Sequence, residues 1–331
     1  MAASPQVSVI VCSFNRNDFL DRALESVFDQ TLDRRLYEVI VVRNQPSKIM
    51  RSKINFKVDC DLTLDGEPLG EWIITALDHT QGDIIAFLDD DDLFLRDRLK
   101  TVVDVFSSNS SCLYYHTSQL KLKCNETEGA GNTGALGGGK MKFYGNNKQA
   151  EMWNLWRYGA SFNLSSIAVR KSIFTGIEEY VKRTNTGVIQ LLFFKAISSQ
   201  GELCVETTPR VIYRIHEGNR SPNDADDFLT ILKKMSLQTP VMLRDIAEIR
   251  KFLREHLPSI NITPLESLEA KYDMYKLLTD PGSSRAELIR FFLYNVAARR
   301  ARLWDMKTAL IAIYLLFPGT MRKALFRKKE S

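Results

Sequence analysis

The chain is poor in the groups that staple small or secreted domains. Its five cysteines (Cys12, Cys60, Cys112, Cys124 and Cys204) are odd in number and contain no C-x-x-C pair. That argues against a disulfide framework or a structural zinc site, and it predicts a reducing, cytoplasmic compartment. No basic, apolar and small-residue leader opens the sequence. Met1 to Gln6 runs straight into Val7-Ser8-Val9-Ile10-Val11, which reads as a core strand, so no signal peptide is expected. Internal repeats and strong compositional bias are also missing. With 44% hydrophobic and 26% charged residues in 331, the chain is neither disordered, collagen-like nor coiled coil, and it can bury a large core unaided. The body lacks excess positive charge. Between Ser283 and Ser331 eleven Lys and Arg face three acids, while the whole chain is only +5, so the remainder is net acidic. This argues against nucleic acid as a partner and turns attention to what the tail touches.

What is present is an alternation of strand and helix. Val7–Cys12, Tyr37–Val42 and Asp83–Leu88 are short apolar, β-branched runs of the kind buried on both faces, and residues 56–64 are β-like. Between the first two, Asn17 or Asp18 is a fitting N-cap, and Leu20, Ala23, Leu24, Val27 and Phe28 follow helical spacing. A second helix is expected from about 70 to 79. The pattern predicts an α/β, Rossmann-like, mostly parallel sheet with helices on both faces, whose ligands sit beyond the carboxyl ends of the strands. Residues 13–16, 43–46 and 89–92 lie at such ends. Further on, 111–124 reads as a strand, 129–139 as a glycine-rich loop, 188–198 as a helix and 211–215 as a strand. From Asp226 the pattern is helical. We expect residues 1–225 to form one domain (halves 1–110 and 111–225) and residues 226–331 a helical, basic extension.

Four consecutive aspartates, Asp89 to Asp92, follow a buried strand. Adjacent carboxylates repel, so solvent, basic neighbours or a cation must offset them. Hard oxygen donors at a strand end suit Mg²⁺ or Mn²⁺ bridging substrate phosphates; a solvated turn capping the next helix through Asp91 or Asp92 is the alternative. Calcium of the EF-hand kind lacks its glycine and its late glutamate. Gly134-x-x-x-x-Gly139-Lys140 resembles a P-loop, but Met141 stands where Ser or Thr is required.

Four segments in order resemble family 2 glycosyltransferases: Val7 to Arg16, Tyr37 to Val42, Gln81 to Asp92 with Asp89 and Asp91 as the Asp-x-Asp pair, and Val211 to Gly218 with Tyr213-Arg214-Ile215-His216 as the late element. The resemblance covers roughly residues 7–220. It implies an A-type glycosyltransferase fold, a nucleotide-diphosphate-sugar donor and a Mn²⁺ or Mg²⁺ cofactor that neutralises the leaving diphosphate. By position, Asp91 ligates the metal, Asp89 contacts ribose or metal, and His216 is the late metal or diphosphate ligand. Ser13, Asn15, Arg16, Asn44 and Asp90 fall to the nucleotide sugar. Histidine is scarce, four in the chain, which gives weight to His216.

The sequence departs from that pattern twice. After the second strand Arg43-Asn44 replaces the usual acid; Asn44 could accept from a base N–H, and Arg43 could hold a phosphate or acidic sugar. The Glu-Asp pair that supplies the base of inverting members is missing. Gln190 stands near its position, and Glu178 and Glu179 are upstream fallbacks. In the tail, the apolar run between Thr308 and Pro318 is about half the ~20 residues of a spanning helix. It is flanked by Arg299, Arg300, Arg302 and Lys307 before, and by Arg322, Lys323, Arg327, Lys328 and Lys329 after. This suits a helix lying peripherally in an anionic membrane surface and, with it, a glycan or lipid-linked acceptor; a basic helix packed on the body is the alternative.

Overall fold

The computed structural model describes residues 4–15, 17–45, 57–66, 68–123, 139–222 and 226–280, with isolated positions up to 293. Arg16, the sequon at Asn125, most of the glycine-rich loop and the basic tail lie outside the described residues. The described residues divide into two units, those up to His216 with Phe252–Pro258, and those of Glu217–Lys251 with the described ones from Ser259 on.

The first unit is built on one mixed sheet. Its strands are β1 (Val7–Ser13), β2 (Tyr37–Arg43), β3 (Cys60–Thr63), β4 (Ile84–Asp89), β5 (Asp92–Phe94), β6 (Cys112–Lys123), β7 (Met141–Tyr144), β8 (Ile167–Arg170) and β9 (Glu202–Ile215). The order is β3-β2-β1-β4-β8-β6-β9-β5, with β7 on β9. The first four are mutually parallel and β6 runs parallel to β9; β8, β5 and β7 pair antiparallel. The predicted parallel sheet is therefore interrupted by short strands. β5 and β7 span three and four residues, too few for an alternation to register in sequence.

Burial explains the strands. Every residue of β1 and β2 is buried, as the unbroken Val/Ile runs require. α1 (Asn17–Phe28) lays Leu20, Ala23, Leu24 and Val27 on that layer. α2 (Leu69–Leu77), α3 (Arg98–Ser108), α4 (Lys148–Tyr158), α5 (Glu178–Arg183) and α6 (Val188–Ser198) complete the unit's helices. At Gly70 the Thr184 carbonyl accepts the amide at 2.9 Å, and a Cβ there would meet the Val181 oxygen at 1.7 Å. Only glycine lets α2 carry the 181–184 backbone so closely. Arg98, fully buried at the start of α3, lies over the Tyr115 ring at 5.0 Å and the Phe94 ring at 5.8 Å, which ties α3 to β5 and β6.

In the second unit α7 (Phe228–His256, whose last turn belongs to the first unit) and α8 (Thr263–Thr279) supply a small core of Met235 and Tyr275. Among the described residues no helix is long and apolar enough to cross a membrane.

Candidate functional site

Parallel pairing of β1 with β4 sets Cys12 opposite Asp89, so the loop after β1 and the four aspartates emerge together at the sheet's carboxyl edge. The aspartates then part company. Asp89 closes β4, half-buried, and its N–H donates to Ser165 Oγ at 3.0 Å. Asp90 turns inward: its N–H donates to the Cys12 carbonyl at 3.2 Å, and its Oδ2 accepts from Ser13 Oγ at 2.8 Å. Asp92 is the buried first residue of β5, where its Oδ1 accepts the Arg214 N–H at 3.3 Å. Burial, and then the charges of Asp91 and Asp89, push the Asp92 carboxyl well above the usual range. Burial followed by Asp89 and Asp90 does the same to the Cys12 thiol, which stays protonated.

Asp91 is the member that meets a partner from far along the chain. Its Oδ2 lies 3.1 Å from His216 Nε2, across 125 residues of sequence. The His216 ring is set by the Phe19 ring, 4.4 Å away and tilted by 30°. Arg214 fixes the backbone beneath: Nε donates to the Asp91 carbonyl at 2.6 Å, and Nη2 to the carbonyls of Asp90 at 3.0 Å and Phe19 at 3.2 Å. A carboxylate oxygen beside an imidazole nitrogen is a donor pair that Mn²⁺ takes, and Mg²⁺ ordinarily uses only one or two protein carboxylates plus substrate phosphates. Among the described residues no three of His, Cys, Asp and Glu converge on one cation position. Asp91 and His216 form a pair, and Asp89 does not complete a triad. A helix cap at Asp91 or Asp92 is not what forms, because α3 starts at Arg98, beyond β5.

At the ends of β1 and β2, Asn15 adopts a left-handed φ of 57°. Its N–H donates to Asn44 Oδ1 at 3.0 Å, while Asn44 Nδ2 and Gln45 Nε2 donate to its Oδ1 at 2.9 and 2.8 Å. Asn15 and Asn44 thus form one exposed amide cluster. Arg43 is not presented to a ligand. It is buried and paired at 2.5 Å with Asp61 of β3, because parallel pairing of β2 with β3 brings that carboxylate beside it. Asp61 is a carboxylate near the strand end that Arg43-Asn44 leaves without one, and its position depends on a strand pairing that no local pattern announces. Arg214 was in plain view within the late element. An arginine in an apolar strand must find acceptors when buried, which is the signal that assigns it. Gln190 Nε2 donates to the Ser161 carbonyl at 3.0 Å, and Glu179 is occupied at the exposed start of α5 by Lys182 (2.8 Å) and Arg183 (3.6 Å).

Over 133 residues the chain is 28% identical to Protein CgeD of Bacillus subtilis, a match covering 37% of this chain and 31% of that protein, so the chain spans about a third of that relative. A mannosyltransferase of Pyrobaculum calidifontis, solved with GDP-Man and Mn²⁺, superposes with a TM-score of 0.52 at 15% identity over 99% of this chain and 89% of that one. TarS residues 1–349 of S. aureus, solved with UDP-GlcNAc, gives 0.50 at 15% over 96% and 92%. At such identities these likenesses show the fold. The model of glycosyl transferase family 2 matches residues 8–175, half of the sequence from β1 to just beyond β8, and the chain therefore belongs to that family.

Proposed function

We propose that the protein transfers a sugar from a nucleotide-diphosphate donor to an acceptor hydroxyl, with Mn²⁺ or Mg²⁺ held at Asp91 and His216. The observation that carries this reading is the 3.1 Å approach of Asp91 Oδ2 to His216 Nε2 at the carboxyl edge of the sheet. When bound, the cation supplies positive charge next to the diphosphate as it leaves. The chain's own residues do the rest. Arg214 holds the Asp90 and Asp91 carbonyls, so the Asp91 side chain is preorganised. The Asn15–Asn44–Gln45 amides and Asp61 offer donors and an acceptor toward base and ribose. Ser13 acts through Asp90, which it fixes. Attack from the opposite face gives inversion. The new C1–O bond forms as the bond to the diphosphate breaks, and the hydroxyl proton passes to a base for which no carboxylate of the chain is assigned.

The test is a thermal-shift panel of UDP-, GDP- and dTDP-sugars with and without Mn²⁺. At a ligand concentration about 100 times Kd, stabilisation of about 2.7 kcal/mol raises Tm by roughly 5–10 °C. At least one nucleotide sugar should do so only when Mn²⁺ is present. If none does, the donor assignment fails.

The acceptor in this reading is a glycan or a lipid-linked glycan, reached by a tail resting on the cytoplasmic face of the membrane. Support comes from the basic and apolar composition after Ser283. The full chain should float with vesicles containing phosphatidylglycerol and sink with phosphatidylcholine alone. Replacing Arg322, Lys323, Arg327, Lys328 and Lys329 by Gln should abolish flotation, at about 1 kcal/mol per basic residue. Equal recovery with both vesicle types removes the membrane claim.

A further inference from the structure

The segment from Gly159 to Ser166 gathers several unfavourable features in one place. Gly159 ends α4 at φ 93°, and Asn163 takes φ 61°, a region that side chains avoid. Between them Phe162 is 48% exposed, and Tyr158, a turn earlier, is 43% exposed. Large aromatic rings are normally withdrawn from water.

The segment is nevertheless tied down from several sides. Gln190 Nε2 donates to the Ser161 carbonyl at 3.0 Å, and His116 Nε2 lies 3.4 Å from the Phe162 carbonyl. Asn163 Nδ2 donates to Gln119 Oε1 at 2.5 Å, while its own Oδ1 receives the Ser165 N–H at 3.0 Å. Ser165 Oγ in turn accepts from the Asp89 N–H. Because the His116 partner is a carbonyl, Nε2 bears the proton and Nδ1 is a bare acceptor. Burial holds this imidazole neutral, with its pKa pushed down to about 4. Two buried acceptors of these tethers, His116 Nδ1 and Gln190 Oε1, have no hydrogen-bond partner among the described residues. Unpaired buried polar atoms and unfavourable φ values persist where they serve a site.

The tethers hold Phe162 over the β5–β9 strand pair. Its ring lies 6.1 Å from that of Tyr213, the residue paired with Asp92 across β5 and β9 and the neighbour of Arg214. We propose that Phe162 is a stacking platform for the apolar C–H face of a pyranose ring, with His116 and Gln190 as the positioning residues that hold its loop against the β5–β9 pair that carries Asp92. This rests on the glycosyltransferase reading and assigns that site a ring-binding wall. The ring belongs either to the acceptor or to the donor's sugar, and the chemistry is the same.

The experiment uses the full chain and saturation-transfer NMR with methyl glycosides of glucose, galactose, mannose and N-acetylglucosamine, each with UDP and Mn²⁺. Donor affinity is measured in parallel for the nucleotide sugar that stabilises the wild type and for UDP alone. Phe162→Ala is expected to weaken ring binding roughly 10-fold, and Phe162→Trp to retain it. Both variants should melt close to the wild type because the side chain is half-exposed. Weakened glycoside binding with unchanged nucleotide-sugar affinity identifies an acceptor ring. Weakened nucleotide-sugar binding with unchanged UDP affinity identifies the donor ring. If both affinities survive Phe162→Ala, or if no glycoside binds the wild type and donor affinity is unaltered, the platform is overturned. In either case Mn²⁺-dependent stabilisation of the wild type still stands for the donor reading, which fails only if that stabilisation is missing.

Discussion

Replacing Asp91 by alanine is expected to lower Mn²⁺-dependent turnover of the nucleotide sugar roughly 100- to 1000-fold in kcat/KM, the scale of losing one group that stabilises developing charge. The fold should survive. Arg214 grips the Asp91 carbonyl, not its carboxylate, so the turn keeps its main tether when the side chain is gone. His216 loses its neighbour but keeps the Phe19 ring. The measurement is the initial rate of nucleoside diphosphate release at saturating Mn²⁺, alongside Tm. Asp92→Asn is the contrast. Burial and the charges of Asp91 and Asp89 raise the Asp92 pKa in the folded state. The folded chain therefore binds more protons than the unfolded one above the ordinary carboxylate pKa, and stability falls as pH rises through that window. An amide imitates the protonated form and can still accept the Arg214 N–H. Asp92→Asn should match the wild type near pH 3.5, with a stability gain that grows as pH rises. Turnover by Asp91→Ala within about threefold of wild type removes the cation site from Asp91.

Much of this arrangement can be read from the sequence, and the gaps have identifiable causes. β1, β2, β4 and α1 announce themselves because strands buried on both faces need unbroken Val/Ile runs and a helix packed on them needs a periodic face. The helix expected over 188–198 has those bounds in the structure. The approach of Asp91 to His216 follows from the order of the resembling segments, since strand ends along one sheet edge are neighbours in space. The fates of Asp90 and Asp92 were not legible: four identical residues carry no period, and only β5, three residues long, turns Asp92 inward. Arg43 and Asp61 meet across a strand pairing, and the Phe162 loop is placed by a hydrogen bond that Gln119 accepts and by those of His116 and Gln190, all on other elements. Contacts of that kind depend on topology, which local composition does not encode.

Arg214→Lys is expected to damage both stability and cation use, and the two losses have one origin. The guanidinium is almost wholly buried and 5.0 Å above the Phe19 ring. It serves three carbonyls from two nitrogens, which a planar fork can do and an ammonium on a flexible stem cannot. Lysine would keep the charge and satisfy about one of the three. Two carbonyls left without that donor cost about 1–3 kcal/mol each, which lowers Tm by roughly 4–24 °C. The same carbonyls belong to Phe19, Asp90 and Asp91, so the turn that aims Asp91 at His216 loosens together with the helix that orients the His216 ring. Loss of such a supporting contact typically weakens metal affinity 10- to 100-fold. The Mn²⁺ concentration for half-maximal turnover should therefore rise by at least about 10-fold, well below the melting temperature of the variant. A merely structural arginine would lower Tm and leave that Mn²⁺ midpoint where it was. An unchanged midpoint in a destabilised Arg214→Lys would mean that something other than Arg214 aims Asp91. An unchanged Tm would mean that the three carbonyls find other donors.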